Sequence, residues 1–324
     1  MRPLRILLAC AASLALYALT FCLFLDRPLT YGTLSHEIEQ KLARAETITG
    51  KKLVILAGSN GPYSHRCEVM EKILARPCIN AGVAVGISLD YLFARWDSLL
   101  FAGDTLYLPM EPSQYIRPRL ANETGPDAAI MARHDRATLA TLAPSRWLAA
   151  FFAFDLRAAI MSAIEMPLHA AHFNDPRGAI NGETNRWGDH TGHDTARASL
   201  NAAVLRAMIA ATPEPKEIRT GHGTALIAAF TSRMQSRGVR VIGGLSTGFR
   251  DTPLSAATIA AIAAIYTDNG GLFLALPNLS RYPREDFFNS PEHLNEPHQI
   301  AHARAVAQAL APLLGRFNAA GVDR

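Results

Sequence analysis

The stretch Lys52-Leu53-Val54-Ile55-Leu56-Ala57-Gly58-Ser59-Asn60-Gly61 decides the predicted fold of this chain. Leu53 to Leu56 form an apolar run that ends at a glycine turn and lacks helical periodicity, which is typical of a buried parallel strand. Ser59 follows at the carboxyl end of this strand, where open α/β sheets bind their ligands. Gly58 and Gly61 let the turn expose Ser59 and leave backbone N–H groups free to face a negatively charged oxygen.

Strands and helices alternate along the rest of the chain, as a parallel sheet flanked by helices requires. We predict strands near residues 53–56, 78–80, 105–108, 240–243 and 272–276. We predict helices near residues 66–75, 87–99, 225–237, 256–266 and 299–314. The predicted fold class is α/β, with a central parallel sheet of about five strands. Loops after the strands are expected to bring four residues to one rim of the sheet: Ser59, Gly82, Glu111 and His293.

A late histidine, in Ser290-Pro291-Glu292-His293-Leu294-Asn295, can form a pair with Ser59. Each element alone is common, because Gly-Ser turns often join strands to helices and a lone histidine often caps a helix. Their order is more informative. A serine after the first strand, the turn Ile79-Asn80-Ala81-Gly82 after the next and a histidine before the last helix together indicate an acyl-transfer site.

With these segments the chain resembles the SGNH (GDSL-like) hydrolases, and among them the membrane-anchored members that add or remove acyl groups on exported polysaccharides. The matching segments are LVILAGSN, CINAGVAVGISLDYLF, GDTLYLPMEPSQY and FFNSPEHLNEPHQIAHA. A narrower similarity is to the hydrolase-like accessory protein of some bacterial cellulose-synthase operons. We therefore expect a flavodoxin-like three-layer sandwich, and we expect no cofactor and no metal ion.

The resemblance implies that Ser59 is the nucleophile and that His293 is the general base. It also implies that the N–H groups of Ser59 and Gly82 stabilise the oxyanion. The third donor in the family is an asparagine side chain from a later block. LPMEPSQY has no asparagine at that turn, so Asn60 is the candidate substitute.

The third member of the expected triad differs from the family pattern. Relatives place an aspartate about three residues before the histidine, where this chain has Ser290, with Asn289 one position earlier. An asparagine can orient the imidazole but cannot stabilise imidazolium as a carboxylate does, and losing that carboxylate costs a serine protease on the order of 10⁴ in turnover. The pair is slow unless Asp286 or Glu292 folds back to replace it.

Three functions remain open from the sequence. The first is an esterase or O-acyltransferase acting on an exported polysaccharide such as cellulose, with a membrane acyltransferase or a polysaccharide synthase as partner. The second is a catalytically attenuated accessory subunit of such a machinery, and the third is a lipase-like enzyme, which no specific feature favours. Arg186 and Trp187 suit a sugar, because an aromatic face can stack on it, although a surface loop without a ligand explains them equally well.

The amino-terminal segment predicts the location of the protein. Residues 6–25 are uncharged and mostly apolar, enough to cross a bilayer core of about 30 Å at about 1.5 Å per residue. Arg2 and Arg5 precede this run and Asp26 follows it, which places the amino terminus in the cytoplasm. The run lacks a small-x-small cleavage site, which favours an uncleaved anchor. We predict a single-pass inner-membrane anchor at 1–30 and a periplasmic domain at 31–324.

Composition agrees with a folded domain behind the anchor. The 324 residues are 49% hydrophobic and 19% charged, which suits one large domain. The net charge of +4 is modest, and no basic cluster with interleaved aromatic residues is present, so nucleic acid is not an expected partner.

The stretch from about 116 to 201 interrupts the alternation and is predicted to be an insertion. It contains an apolar helix, predicted at 147–166, which suits burial better than contact with a membrane surface. A polar segment follows. Its acidic and imidazole side chains are candidate metal ligands, but a glycine-rich loop explains them better. These side chains are Asp189, His190, His193 and Asp194.

Two further features are interpreted without assigning chemistry. Glu111 and Tyr115 follow a predicted strand and are candidates for lining the cleft, although a glutamate before proline is also typical of a turn. Cys67 and Cys78 bracket a predicted helix whose ends lie about 12 Å apart, beyond the roughly 7 Å limit for a disulfide. We expect both cysteines to be buried thiols.

Overall fold

The computed structural model of the chain describes residues 2–24, 29–152, 160 and 183–315. Its strands are β1 Leu53–Ile55, β2 Cys78–Asn80, β3 Thr105–Leu108, β4 Arg240–Gly244, β5 Gly248–Phe249, β6 Leu272–Leu274, β7 Arg281–Tyr282, β8 Phe287–Ser290 and β9 His293–Leu294. Five of them form a central parallel sheet in the order β2-β1-β3-β4-β6. This confirms the predicted α/β class and the predicted parallel sheet.

Helices precede, separate and follow the strands. In chain order they are α1 Arg2–Phe24, α2 Leu29–Glu46, α3 Asn60–Ser64, α4 Cys67–Leu74, α5 Leu89–Asp97, α6 Pro112–Tyr115, α7 Arg119–Glu123, α8 Asp127–His134, α9 Arg136–Thr141, α10 Pro144–Phe152, α11 Thr195–Ser199, α12 Ala202–Ala207, α13 Pro215–Thr220, α14 His222–Ser236, α15 Ala256–Thr267 and α16 Glu296–Gly315. A short 3₁₀ helix covers Arg284–Asp286. The two small strand pairs are β5 with β7 and β8 with β9.

Strand β1 lies inside the sheet and is buried on both faces, which explains its continuous apolar sequence. Because side chains alternate along a strand, Leu53 and Ile55 enter one core cluster while Val54 and Leu56 enter the other. On one face the core includes Phe93 of α5, which stacks on Phe230 of α14. On the other it includes Met70 of α4 with Val306 and Leu310 of α16. Helices therefore cover both faces of the sheet.

A buried ion pair fixes the start of β1 against β3. Asp104 accepts hydrogen bonds from Lys52 N at 2.9 Å and Lys52 Nζ at 2.7 Å. A third bond comes from Phe101 N at 2.9 Å. Because both carboxylate oxygens are satisfied in a site that excludes water, removing either charge would leave the other uncompensated.

Helix α1 is long and apolar enough to cross a membrane, and the part of it between Pro3 and Thr20 has no buried residue. Helix α2 belongs instead to the folded domain, since Leu34, Ile38 and Leu42 are buried in the core beside the sheet.

The predicted insertion at 116–201 is described only in part, because residues 153–159 and 161–182 lie outside the described residues. Its first part folds as short helices held by the buried Arg146, whose guanidinium pairs with Asp127. The apolar segment predicted at 147–166 is described as far as Phe152. There Trp147, Leu148 and Phe152 are more than half exposed, so burial, the preferred interpretation, is wrong for these three side chains.

The prediction that Cys67 and Cys78 are separate thiols is wrong, because they form a disulfide with their Cα atoms 5.2 Å apart. The prediction treated the length of the helix as the distance between the cysteines. Helix α4 ends at Leu74, where Ala75 takes a left-handed conformation and turns the chain back. The amide of Cys78 then donates to Glu71 on α4 at 3.0 Å, so β2 begins beside the helix.

Replacing both cysteines by serine should lower the free energy of unfolding by about 3 kcal/mol, because the bond closes a loop of 11 residues in the unfolded chain. Urea unfolding of the full chain in detergent measures this change. Dithiothreitol should destabilise the wild type by a similar amount and leave the double variant unchanged. Equal stability of the oxidised wild type and the double variant would contradict the prediction.

Candidate active site

The candidate nucleophile lies at the carboxyl end of β1, in the turn that leads into α3. Ser59 is the residue before the first turn of α3, and its Oγ lies 2.8 Å from His293 Nε2. This distance matches the expectation that the two side chains lie within hydrogen-bond reach at one rim of the sheet. They are 234 positions apart in the sequence, so the fold brings them together.

The β8–β9 hairpin orients the imidazole. His293 Nδ1 lies 2.7 Å from Asn289 Oδ1, and because this oxygen only accepts, Nδ1 carries the proton and donates. The lone pair of Nε2 then faces Ser59 Oγ, which donates its proton along the 2.8 Å contact. Asn289 therefore occupies the place of the third triad member and selects the tautomer that a general base needs.

The two carboxylates considered as substitutes for Asn289 have other partners. Asp286 pairs with His298 at 3.1 Å. Glu292 accepts from Ser290 Oγ at 2.9 Å. Neither has a hydrogen bond to His293 among the described residues.

The imidazole of His293 is neutral over the physiological range. Loss of solvent around the ring and, to a smaller extent, charge repulsion from the neighbouring His190 and His193 together lower its pKa to about 3. A neutral ring is competent to accept the Ser59 proton. General bases are most effective when their pKa is near the working pH, so this ring is a weak base.

Two backbone N–H groups are available for an oxyanion. Among the described residues, the N–H groups of Ser59 and Gly82 have no hydrogen-bond partner. The two turns touch, since a Cβ on Gly82 would lie 2.8 Å from Gly61 Cα and 2.7 Å from Gly58 O. Only glycine fits there, and the contact keeps the Gly82 turn against the Ser59 turn.

The predicted third donor, Asn60, points its side chain elsewhere. Asn60 is fully buried, and its Nδ2 donates to Pro109 O at 2.7 Å. The side chain beside the nucleophile is Glu111, whose Oε1 lies 3.5 Å from Ser59 Oγ and accepts from Asn60 N at 3.2 Å. Glu111 was expected at this rim, with no chemistry assigned to it. Its position just after β3, as Ser59 follows β1, was the available signal.

Tyr115, also considered for the cleft, is not part of it. Its ring is fully buried and its hydroxyl lies 2.7 Å from the Tyr266 hydroxyl in the core.

Tyr63 of α3 forms a column of stacked rings beside Ser59 and His293. The Tyr63 ring stacks on two imidazole rings, those of His293 and His190, and each pair of ring centroids is 4.1 Å apart. His193 meets the Tyr63 ring edge-on at 5.2 Å, and its Nδ1 lies 3.3 Å from His190 Nδ1. Burial lowers the pKa of both His190 and His193, so the column is uncharged near neutral pH.

Asp189, considered above as a metal ligand, holds the polar segment onto the site. Its carboxylate accepts from Cys67 N at 2.8 Å and from Asn80 Nδ2 at 3.0 Å. The same Asn80 amide donates to Gly61 O at 2.9 Å, which links Asp189 to the nucleophile turn. Asp194 instead caps α11 by accepting from Arg197 N. The described residues contain no group of three or more His, Cys, Asp or Glu side chains arranged to hold a metal ion.

Arg186 and Trp187, predicted to bind sugar, line a cavity of about 400 Å³ between α2 and the turn at 184–188. The guanidinium of Arg186 lies over the Trp187 ring at 4.1 Å, and the indole N–H donates to Glu71 at 2.9 Å. Lys41, on the same cavity wall, donates to Gly82 O. A second hydrogen bond, from Asn80 N to Trp187 O at 2.8 Å, also joins the cavity lining to the turn at residues 79–82, while the lining does not include Ser59 or His293.

Comparison of the chain with models of known protein families, with curated proteins and with solved structures found no match.

Asn289→Asp should raise ester turnover by about tenfold, because a charge-assisted hydrogen bond to imidazolium exceeds a neutral one by about 1–2 kcal/mol. The carboxylate should also raise the pKa of His293, so the acid limb of the pH profile should move to higher pH. The measurement is kcat/KM for 4-nitrophenyl acetate as a function of pH.

Asp286→Asn is the matched control for this substitution, since Asp286 ends the 3₁₀ helix just before the same hairpin but pairs with His298. It should leave the acid limb in place. A shift of that limb in Asp286→Asn, with no shift in Asn289→Asp, would show that the orienting residue has been misassigned.

Proposed function

We propose that the chain is a membrane-anchored serine esterase or O-acyltransferase that acts on an exported polysaccharide through an acyl-enzyme at Ser59. The observation that carries this proposal is the 2.8 Å contact between Ser59 Oγ and His293 Nε2, with Nδ1 of the same ring held by Asn289 at 2.7 Å. A serine, a base and an orienting group in hydrogen-bonded sequence are the arrangement that activates a hydroxyl nucleophile.

The reaction follows from these contacts. His293 Nε2 takes the Ser59 proton as Oγ bonds to the acyl carbon, and the carbonyl electron pair moves onto oxygen. The N–H groups of Ser59 and Gly82 stabilise that negative charge. The pair then returns, the bond to the leaving alcohol breaks, and His293 gives the proton to the departing oxygen. Water or an acceptor hydroxyl attacks the acyl-enzyme by the same steps in reverse.

Membership of the SGNH hydrolases is part of this proposal. Numbered within the sheet alone, the strand order is 2-1-3-4-5, the doubly wound order of flavodoxin-like folds. Ser59 after the first strand and Gly82 after the second correspond to the nucleophile and oxyanion positions of that superfamily. These features support a flavodoxin-like fold and a hydrolase function together.

Location and substrate follow from the surroundings of the site. We propose a single-pass inner-membrane protein with α1 as its anchor and the folded domain in the periplasm. The Cys67–Cys78 disulfide supports export, since such bonds persist in oxidising compartments. The cavity beside Arg186 and Trp187 is the proposed polysaccharide site. A protein that binds polysaccharide there would suit a membrane acyltransferase or a polysaccharide synthase as its partner.

A catalytically attenuated accessory subunit is the second candidate function, and two observations favour it. Asn289 supplies no negative charge to His293, and the pKa of that ring, lowered to about 3, makes it a weak base. A slow or inactive site on an intact fold would suit a chain that binds polysaccharide without modifying it.

A fluorophosphonate probe should label the full chain in detergent at Ser59, because the probe reacts with hydroxyls that a base activates. Ser59→Ala should abolish labelling, and His293→Ala should slow it by a factor of about 10³ or more, as for other residues of such a unit. Mass spectrometry of the labelled peptide identifies the modified residue.

Ser98→Ala is the control, since Ser98 is an exposed serine at the end of α5 and lies outside the site. It should label like the wild type. Equal labelling of wild type and Ser59→Ala would exclude Ser59 as the nucleophile. An inert wild type, combined with polymer export that Ser59→Ala supports fully, would favour the accessory subunit.

A further inference from the structure

The reaction described above leaves one buried acidic group at the nucleophile unused. Glu111 is 4% exposed, and its Oε1 lies 3.5 Å from Ser59 Oγ. A carboxylate at this point would repel the negative charge that develops when Ser59 attacks a carbonyl group. The protonation state of Glu111 therefore decides whether the site favours or opposes the transition state.

Backbone contacts fix the carboxyl group where it is. Asn60 N donates to Oε1 at 3.2 Å, and Glu111 N donates to Gln114 Oε1 at 2.9 Å in the first turn of α6. A Cβ at position 58 would collide with Oε1, so Gly58 is what allows Glu111 to reach the nucleophile turn. Apart from its role in the turn, Gly58 thus makes room for an acid.

The surroundings of the carboxyl group favour its neutral form. Burial and, to a smaller extent, the charge of Glu292 together raise the pKa of Glu111 to about 8, against the opposing contacts with Asn60 N and Ser59. Asn60 N and Ser59 Oγ from the α3 turn contact the carboxyl group, Glu292 from the β8–β9 hairpin acts on it through its charge, and apolar Val85 lies with it beside Gly58. None of them supplies a positive charge at neutral pH.

In a neutral carboxylic acid the carbonyl oxygen is the better acceptor, so the oxygen that receives the Asn60 N–H carries no proton. The proton then resides on Oε2, so the carboxyl group beside Ser59 has one acceptor oxygen, Oε1, and one donor, Oε2. Buried carboxylic acids are known to act in this way, as one member of an oxyanion hole.

We propose that protonated Glu111 is the third oxyanion donor, acting beside the N–H groups of Ser59 and Gly82 where the related hydrolases use an asparagine side chain. This inference rests on the proposed esterase function. As the Ser59 Oγ–carbon bond forms and the proton passes to His293, the carbonyl oxygen accepts a hydrogen bond from Glu111 Oε2. The bond lengthens when the C=O group reforms and the alcohol leaves with the proton from His293, so Glu111 keeps its own proton throughout.

Ionisation of Glu111 sets the alkaline side of the pH profile of turnover. Turnover is full while Glu111 is protonated, below pH about 8, and falls as pH rises through that value, because the ionised carboxylate both loses its donor and repels the oxyanion. In related hydrolases an asparagine at this place would show no such limb, since an amide does not titrate.

The test compares Glu111→Gln with Glu111→Leu in the full chain in detergent, using 4-nitrophenyl acetate from pH 5 to pH 10. Glutamine keeps a donor, so Glu111→Gln should stay within about tenfold of wild type at pH 7 and lose the alkaline limb. Leucine removes the donor, so kcat should fall by a factor of about 10²–10³ with KM little changed. Circular dichroism and the thermal midpoint establish that both variants are folded.

Glu292→Gln is a second variant, which should shift the alkaline limb where Glu111→Gln should remove it. Removing its charge should lower the pKa of Glu111, so the alkaline limb should move to lower pH. Infrared difference spectra of wild type against Glu111→Gln should show the C=O band of a protonated carboxylic acid at pH 7, and this band should disappear at pH 10. That readout does not depend on turnover.

Three outcomes would overturn the proposal while leaving the esterase function intact. They are a Glu111→Leu variant as active as wild type, a Glu111→Gln variant as inactive as Glu111→Leu, and an alkaline limb that persists in Glu111→Gln. The second outcome would show that Glu111 acts as a charged group or a base. A wild type that is inert at every pH would overturn the esterase function, and this proposal with it.

Discussion

The site depends on the close approach of two backbone turns, at Gly61 after β1 and Gly82 after β2. A Cβ on Gly61 would lie 2.9 Å from Gly82 Cα, so a side chain on either residue would force the turns apart. Asn80 stabilises the contact, because its side-chain amide donates to Gly61 O and also to the Asp189 carboxylate. The proposed oxyanion donors are consequently in place before any ligand arrives, and preorganisation of this kind is a large part of enzymatic rate enhancement.

The centre around Ser59 contains many ionisable groups and little charge. Desolvation holds His293, His190 and His193 neutral and raises the pKa of Glu111. Charges that appear during acyl transfer would therefore be the dominant local charges. In a site of low dielectric their electrostatic interactions with neighbouring groups would be strong. In the proposed reaction the same burial would strengthen stabilisation of the oxyanion and make imidazolium costly, because no carboxylate in the described part of the chain is hydrogen-bonded to His293. The balance between these two effects sets the rate that this centre can reach.

Much of the fold could be predicted from the sequence, because the short buried strands are apolar runs that end in glycine or polar turns. Strand ends also predicted the position of Ser59, since parallel strands share one functional edge. The meeting with His293 was expected from its order before the last helix, although His293 lies on the separate β8–β9 hairpin. The disulfide was missed because helix length does not report how the chain returns after the helix. The contact of Glu111 with Ser59 was missed because burial and rotamer decide it, and neither is visible in a short motif.

The cysteines of this chain have a consequence for its maturation. Beyond the apolar amino-terminal helix the sequence contains only Cys67 and Cys78, and the bond between them closes a loop of 11 residues. With two thiols a single intramolecular pairing exists, so oxidation cannot trap a scrambled isomer and needs no reshuffling step. Both partners also precede β3 in the chain. The bond can therefore form as soon as β2 emerges during synthesis, joining α4 to the first edge of the sheet before the remaining strands are available.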